Sequence, residues 1–280
     1  MPQSKHQETP DDSVKKRSHD FKREYYENMD AYHLLHKITI INGRLKRLKD
    51  PTKRGWAIHD IYYEYLQILE RLFINAYSLR RKPIDFPAAI FIDSKNLQSF
   101  INDMFLKKTD YSKWFLSTYV LSIHEEVDDQ KIKNYENVLM ECAKDYLDNY
   151  QLLNAYKHGA RVSATDGDSH MYIKGVDGKS HRIASGDSHI RYFSKQKDDE
   201  SGGRVIYEHD LVFNKDRVID KSLFCVTLLQ NIQYVALRRM GVKTKKREKY
   251  MYYNYVSEEW KKSFGGFTWK IGRFSVGKVE

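Results

Sequence analysis

The chain is poor in cysteine and proline, and it has no long apolar run. Its 280 residues include 2 cysteines and 5 prolines. Two cysteines cannot build a disulfide framework. Cys142 and Cys225 both lie among apolar neighbours in helical patterns, so we interpret them as reduced core thiols of a cytoplasmic protein. No apolar run approaches the roughly 20 residues of a membrane span, and the polar N-terminus is unlike a signal peptide. We expect a soluble protein with no membrane partner.

Several motifs that carry common chemistry are also missing. The sequence has no glycine-rich phosphate loop, no paired-cysteine ligand motif and no Gly-x-Ser-x-Gly elbow. A histidine metal site is conceivable if His170 and His189 align across a hairpin. However, each of them follows a Gly-Asp-Ser turn, where a polar start to a strand is ordinary. We therefore expect no metal and no cofactor.

The chain has an excess of positive charge and of tyrosine. Its formal net charge is +10, and 21 residues are tyrosine. The charge can serve solubility alone, or it can indicate an acidic partner, nucleic acid first. The first of two basic clusters comprises Arg44, Lys46, Arg47, Lys49, Lys53 and Arg54. The second comprises Lys243, Lys245, Lys246, Arg247 and Lys249. Tyrosines follow the second cluster, so we predict nucleic-acid binding there, by phosphate pairing with base stacking.

Apolar residues recur at three- and four-residue spacings through most of the chain, which predicts a mainly α fold. The predicted helices cover residues 21–48, 56–81, 94–105, 111–123 and 214–239, and a further helix runs from 132 into the stretch 153–161. Asn42-Gly43 is a possible interruption of the first helix, and Asp50-Pro51 is expected to end it. Gly241 is a stop signal for the last helix.

A β segment interrupts the helical pattern. Strand-like runs at 170–174, 189–194 and 204–213 are separated by turn residues, with a further turn predicted at 165–168. We therefore predict a helical bundle over residues 21–241, with an antiparallel β-meander inserted at about 165–213. Residues 1–20 are expected to be a disordered arm. Residues 242–280 are expected to form a basic, Tyr-rich tail, in which 267–271 alternates like a strand or belongs to a peripheral tail.

One stretch, residues 153–161, has the character of a site. Placed on one helix, Leu147, Tyr150, Asn154, His158 and Arg161 form a narrow stripe at spacings of three and four, so the apolar face continues into polar groups. A neutral imidazole beside cations suits a general base, with Arg and Lys stabilising a phosphate. The same side chains can instead bond the last carbonyls of a helix that ends nearby.

The pattern Asn154-x-x-x-His158-Gly159, late in a long helix, resembles the signature of the HEPN superfamily (higher eukaryotes and prokaryotes nucleotide-binding). Those proteins are helical bundles. Many are metal-independent ribonucleases of toxin, antiviral and RNA-processing systems, and others are non-catalytic. Their motif is an Arg, commonly followed by a polar residue, then three residues, then His. Leu153 occupies the Arg position here, and Arg161 is our suggested substitute.

The resemblance implies an RNA- or nucleotide-binding homodimer with its site at the dimer interface. If the protein is a ribonuclease, His158 is the general base and Arg161 and Lys157 stabilise the phosphorane. Asn154 then orients the phosphate or the imidazole. The alternative is a non-catalytic helical scaffold that works with a companion protein, and Leu153 is the residue that favours it.

Overall fold

Helix α3, Pro51–Leu79, is the central helix of the bundle. It packs against the helices Tyr32–Leu45, Asp129–Lys157 and Lys215–Arg239 and against the strand Val162–Lys174. The computed structural model describes residues 20–79, 92–107, 110–120, 129–157, 162–174, 179–197, 204–243 and 267–275. Its helices are α1 (20–28), α2 (Tyr32–Leu45), α3, α4 (Ser94–Ile101), α5 (Asp110–Phe115), α6 (Asp129–Lys157) and α7 (Lys215–Arg239). Two π-helical segments, Asn102–Leu106 and Leu116–Val120, extend α4 and α5. The predicted mainly α architecture is confirmed.

The strands are β1 (Val162–Lys174), β2 (Ser180–Lys197), β3 (Arg204–Phe213) and β4 (Phe267–Ser275). They form one sheet in the order β1-β2-β3-β4, and every neighbouring pair is antiparallel. The predicted meander is therefore present, inserted between α6 and α7. Of the two alternatives for the C-terminal segment, the strand is the one that forms, and it pairs with β3.

The first predicted helix is in fact two helices, and the break lies at residues 29–31 instead of at Asn42-Gly43. The Asp30 carboxylate accepts hydrogen bonds from the backbone N–H groups of Tyr32 and His33, at 3.0 and 3.1 Å, and so starts α2. Gly43 stays helical because a glycine inside a helix costs only about 1 kcal/mol.

The second predicted helix starts five residues earlier than expected, at Pro51. Asp50 Oδ1 accepts from the backbone N–H of Thr52 at 2.8 Å and of Lys53 at 3.3 Å. Proline suits the first helical position because it has no N–H to leave unsatisfied there. Asp50-Pro51 therefore separates α2 from α3 and also starts α3.

The predicted turn at 165–168 is wrong, because β1 runs through it from Val162. The pairing of β1 with β2 shifts register between Asp166 and Ser169, and Gly167 adopts a φ of +136°. These residues form a bulge inside a longer strand, where glycine tolerates a backbone that other residues rarely adopt. The repeated Gly-Asp-Ser-His segments lie opposite each other across this ladder, with Ser169 paired to Gly186.

The core is rich in aromatic side chains. The largest fully buried side chains include Tyr26, Tyr62, Tyr65, Tyr146 and Tyr192. The inner face of the sheet contributes to the same core, and Phe213 lies 4.7 Å from Tyr62, measured between ring centroids. Sheet and helices therefore share one hydrophobic core.

Replacing Gly186 by alanine is expected to destabilise the fold by about 2 kcal/mol or more. A Cβ at Gly186 falls 2.2 Å from the backbone oxygen of Phe213, so β2 and the end of β3 must separate. Gly43→Ala is the matched control, because nothing lies within 4 Å of its Cβ and helix propensity favours alanine. Urea unfolding is expected to show a lower midpoint for Gly186→Ala and an equal or higher one for Gly43→Ala. Equal midpoints for the two variants would contradict this account.

Candidate functional site

The predicted site lies at the C-terminal end of α6, and most of it is outside the described residues. Asn154 and Lys157 belong to the last turn of α6, but their side chains are not described. His158 and Arg161 lie wholly outside the described residues. In the second basic cluster, Lys243 is exposed, and the remaining members lie outside the described residues. Those members are Lys245, Lys246, Arg247 and Lys249.

Leu153, which stands where the HEPN motif has an arginine, belongs to the hydrophobic core. Its exposed fraction is 1%. The buried face of α6 runs through Leu139, Tyr146 and Leu153, whereas Leu147 and Tyr150 are only partly buried. Leu147, which the sequence places on the apolar face with Tyr150, packs against the hydrophobic core, and Tyr150 is half-buried. A helix turns 100° per residue, so Leu147 lies about 80° around the axis from Leu139, at one edge of the buried face, whereas Tyr150 lies about 20° from Leu139 and within that face.

A buried ion pair that sequence reasoning missed joins α6 to α7. Lys221 Nζ lies 2.7 Å from Asp145 Oδ2 and 3.9 Å from a carboxylate oxygen of Glu141. Tyr65 of α3 donates its hydroxyl to Asp145 at 2.7 Å. Burial alone lowers the pKa of Lys221, but the negative charge of Asp145 and its other acidic neighbours outweighs it and raises the pKa overall. The ammonium therefore stays charged inside the bundle.

The two cysteines lie beside this ion pair. The Sγ atoms of Cys142 and Cys225 are 3.6 Å apart, and both residues are free thiols with no exposed surface. Burial raises the pKa of Cys225 well above its usual value, so the reactive thiolate is disfavoured. Solvent does not reach Cys142, Cys225 or Lys221 to any useful extent. This cluster is consequently a structural connection between helices.

A second charged cluster lies on the sheet. His189 Nε2 is 2.6 Å from Asp210 Oδ1, and Arg191 Nε is 3.0 Å from Asp210 and 3.0 Å from Glu208. An imidazole oriented by a buried carboxylate could act as a base. Here, however, the guanidinium of Arg191 is already shared between two carboxylates. The cluster therefore stabilises the pairing of β2 with β3.

Histidines do not assemble a metal site in the described part of the chain. The register pairs His170 with Ser185 and His189 with Thr165, so the two histidines do not align across the hairpin. His209 Nε2 lies 2.7 Å from the hydroxyl of Ser194, and both residues are almost fully buried. Within the described ranges, no group of three or more His, Cys, Asp or Glu residues is arranged to hold a metal.

The first basic cluster, at the junction of α2 and α3, divides into one half-buried residue, Arg54, and five exposed ones. Arg54 Nη1 donates to the carbonyl oxygens of Leu45 and Leu48 at 3.1 and 3.0 Å, and its Nε donates to Asp166 of β1 at 2.6 Å. The exposed members are Arg44, Lys46, Arg47, Lys49 and Lys53. Trp56, in the second turn of α3, is also exposed, with 63% of its surface accessible. Together these features make a positively charged surface that carries an aromatic ring.

A groove of about 470 Å³ lies at the other end of α3. Its walls include Phe21, Tyr25, Asp30, His33 and Arg71. Arg71 is 18 residues after Lys53, about 27 Å away along the helix axis. The groove mixes cations with carboxylates, so its charge is not one-sided, and it is separate from the basic junction.

Comparison of the chain with protein-family models, with curated proteins and with solved structures finds no match in any of the three. Among the helices that the structure describes, none combines the length and the apolar character that crossing a bilayer requires.

Replacing Lys221 by methionine is expected to cost about 3 kcal/mol of folding free energy, because it leaves the charge of Asp145 buried without its cation. The double variant Lys221→Met with Asp145→Asn removes both charges and keeps an acceptor for Tyr65. It is expected to recover more than half of the loss, as measured by urea unfolding. If the double variant is as unstable as the sum of the two single variants, the two side chains are not energetically coupled.

Proposed function

We propose that this protein is a HEPN-like helical bundle that binds RNA or nucleotides in the cytoplasm. The observation that supports this best is the exposed basic surface at the α2–α3 junction, with five cations and Trp56. Lysine and arginine neutralise phosphates, and an exposed aromatic ring offers a stacking surface for a base. The net charge of +10 also supports the proposal, because a positively charged protein attracts polyanions.

Only a short segment of chain separates the HEPN-like motif from a residue that is bonded to the basic surface. Strand β1 begins at Val162, four residues after His158, and its Asp166 is bonded to Arg54 at the junction. Asp166 follows His158 by eight residues, which can span at most about 29 Å of chain. This limit on their separation supports a single binding region that includes both the motif and the basic surface.

In the catalytic form of the proposal, His158 takes a proton from a 2′-hydroxyl, whose oxygen attacks the adjacent phosphorus. The P–O5′ bond breaks, and the 5′-oxygen leaves with a proton from water, which gives a 2′,3′-cyclic phosphate. Arg161 and Lys157 stabilise the charge that develops on the phosphate, and Asn154 orients it. The site forms between two copies of the chain, and the protein acts in a bacterial antiviral or RNA-processing system.

A second candidate is a non-catalytic scaffold that acts with a companion protein. The specific observation in its favour is the burial of Leu153, because a core leucine at the arginine position leaves the motif without that cation. In this form the motif helix serves dimerisation or partner binding, and RNA is held without being cut.

The function is tested by incubating wild type and His158→Ala with a labelled RNA in a chelator, while binding is measured separately at several salt concentrations. We expect both proteins to bind RNA with an affinity that falls steeply as salt rises. Cleavage that disappears in His158→Ala supports the ribonuclease form. Binding without cleavage in both proteins supports the scaffold form.

The mass of the purified protein shows whether it is a homodimer. A search for co-purifying nucleic acid serves as the control for RNA binding. Failure of wild type to bind any RNA would contradict the proposal itself.

A further inference from the structure

We infer that the α2–α3 junction binds single-stranded RNA, with its cations on phosphates and the Trp56 ring stacked on a base. We call the surface formed by Arg44, Lys46, Arg47, Lys49, Lys53 and Trp56 the basic end. The inference rests on the proposed function and deepens it, because it names the surface and the strandedness of the ligand. It does not require catalysis by His158.

The backbone of the basic end is held from within. Arg54 donates to the carbonyl oxygens of Leu45 and Leu48, the first of which also accepts from the backbone N–H of Leu48, and it also binds Asp166 of β1. Asp50 fixes the start of α3 through the backbone N–H groups of Thr52 and Lys53. A rigid turn presents its cations with little loss of backbone entropy on binding, and preorganisation of this kind favours affinity.

The cations of the basic end are available for a ligand. Arg44, Lys46, Arg47, Lys49 and Lys53 are all exposed, and no ion pair with another described residue is found for any of them. The nearby Asp50 carboxylate is occupied with backbone N–H groups. Five cations within ten residues of chain suit a polyanion with closely spaced charges.

Trp56 favours a single strand over a duplex. Its ring is 63% exposed and follows Lys53 by three residues, so the indole and the ammonium lie on the same side of α3. A single strand offers unstacked base faces to such a ring, whereas a duplex must first be unstacked at a cost of a few kcal/mol.

The surroundings of Trp56 are less suited to a membrane surface. Thr52, Lys53 and Asp60 share its side of the helix, and all three are polar. An interfacial helix buries a continuous apolar face, and one ring among polar neighbours is a poor match for that. Stacking on one base needs only one ring.

The test uses the full chain and measures fluorescence anisotropy of labelled oligonucleotides of about 12 nucleotides, within the range of known single-strand sites. The probes are oligouridylate RNA, oligothymidylate DNA and a double-stranded RNA of equal length. Vesicles of phosphatidylcholine and phosphatidylserine test the membrane alternative. The binding variant combines Lys46→Gln, Arg47→Gln and Lys49→Gln. The matched control combines Lys95→Gln, Lys133→Gln and Lys144→Gln, which removes the same charge from exposed lysines of α4 and α6.

The binding variant is expected to weaken single-stranded RNA binding about tenfold at about 0.1 M salt. It should also reduce the slope of log affinity against log salt by about two, since each phosphate contact on a single strand contributes about 0.7. The control variant is expected to stay within about twofold of wild type. Trp56→Ala should weaken binding about tenfold, and Trp56→Phe should restore most of it because a phenyl ring also stacks. Tyr32→Ala, at another exposed aromatic residue, should have little effect.

The outcomes separate this inference from the proposed function. If wild type binds no RNA, the proposed function fails and the inference fails with it. If wild type binds RNA and the basic-end variants bind equally well, only the inference is overturned. Equal weakening by the control variant would also overturn it, because net charge alone would then explain binding. Stronger binding to DNA, to the duplex or to vesicles would overturn the choice of ligand.

Discussion

The arrangement of the basic end depends on one guanidinium, that of Arg54. It belongs to the first turn of α3, donates to the carbonyl oxygens of Leu45 and Leu48 at the end of α2, and pairs with Asp166 at the bulge of β1. Two consecutive helices and a strand residue 112 positions from Arg54 therefore meet at one side chain. Because Arg54 is committed to these internal contacts, it is not available to a phosphate, although the sequence places it among five cations that are exposed.

Inside the bundle, a second cation is also committed to internal contacts. Lys221 and Asp145 lie where an apolar helix pair would ordinarily carry leucine, and their pairing holds α6 against α7 beside two buried thiols. A buried ion pair contributes little net stability, but it strongly disfavours packings in which either charge is left alone. In this protein it fixes the register of the two helices and connects them to α3 through Tyr65.

Periodicity predicted the helices and the meander well, because a buried face repeats every 3.6 residues whatever it packs against. It did not predict the break at Asp30 or the passage of β1 through 165–168, since local capping and a bulge decide those. Periodicity alone also did not predict the ion pair of Lys221. The usable signal for it is a lysine on an apolar face, three residues after Val218 and four before Cys225. The bond from Arg54 to β1 could not be predicted, because its partner Asp166 is 112 residues away in the sequence.

The burial of Leu153 limits how the HEPN-like motif could act. An arginine in its place would bring a guanidinium into the core, where its charge lacks a partner and costs several kcal/mol. The chain therefore cannot recover the family pattern by one substitution at that position. If the protein is the ribonuclease proposed above, the cation that stabilises the phosphate comes from elsewhere, from Arg161 or Lys157, or from a second copy of the chain. A strand of RNA held at the basic end would still need such a cation before His158 could cut it.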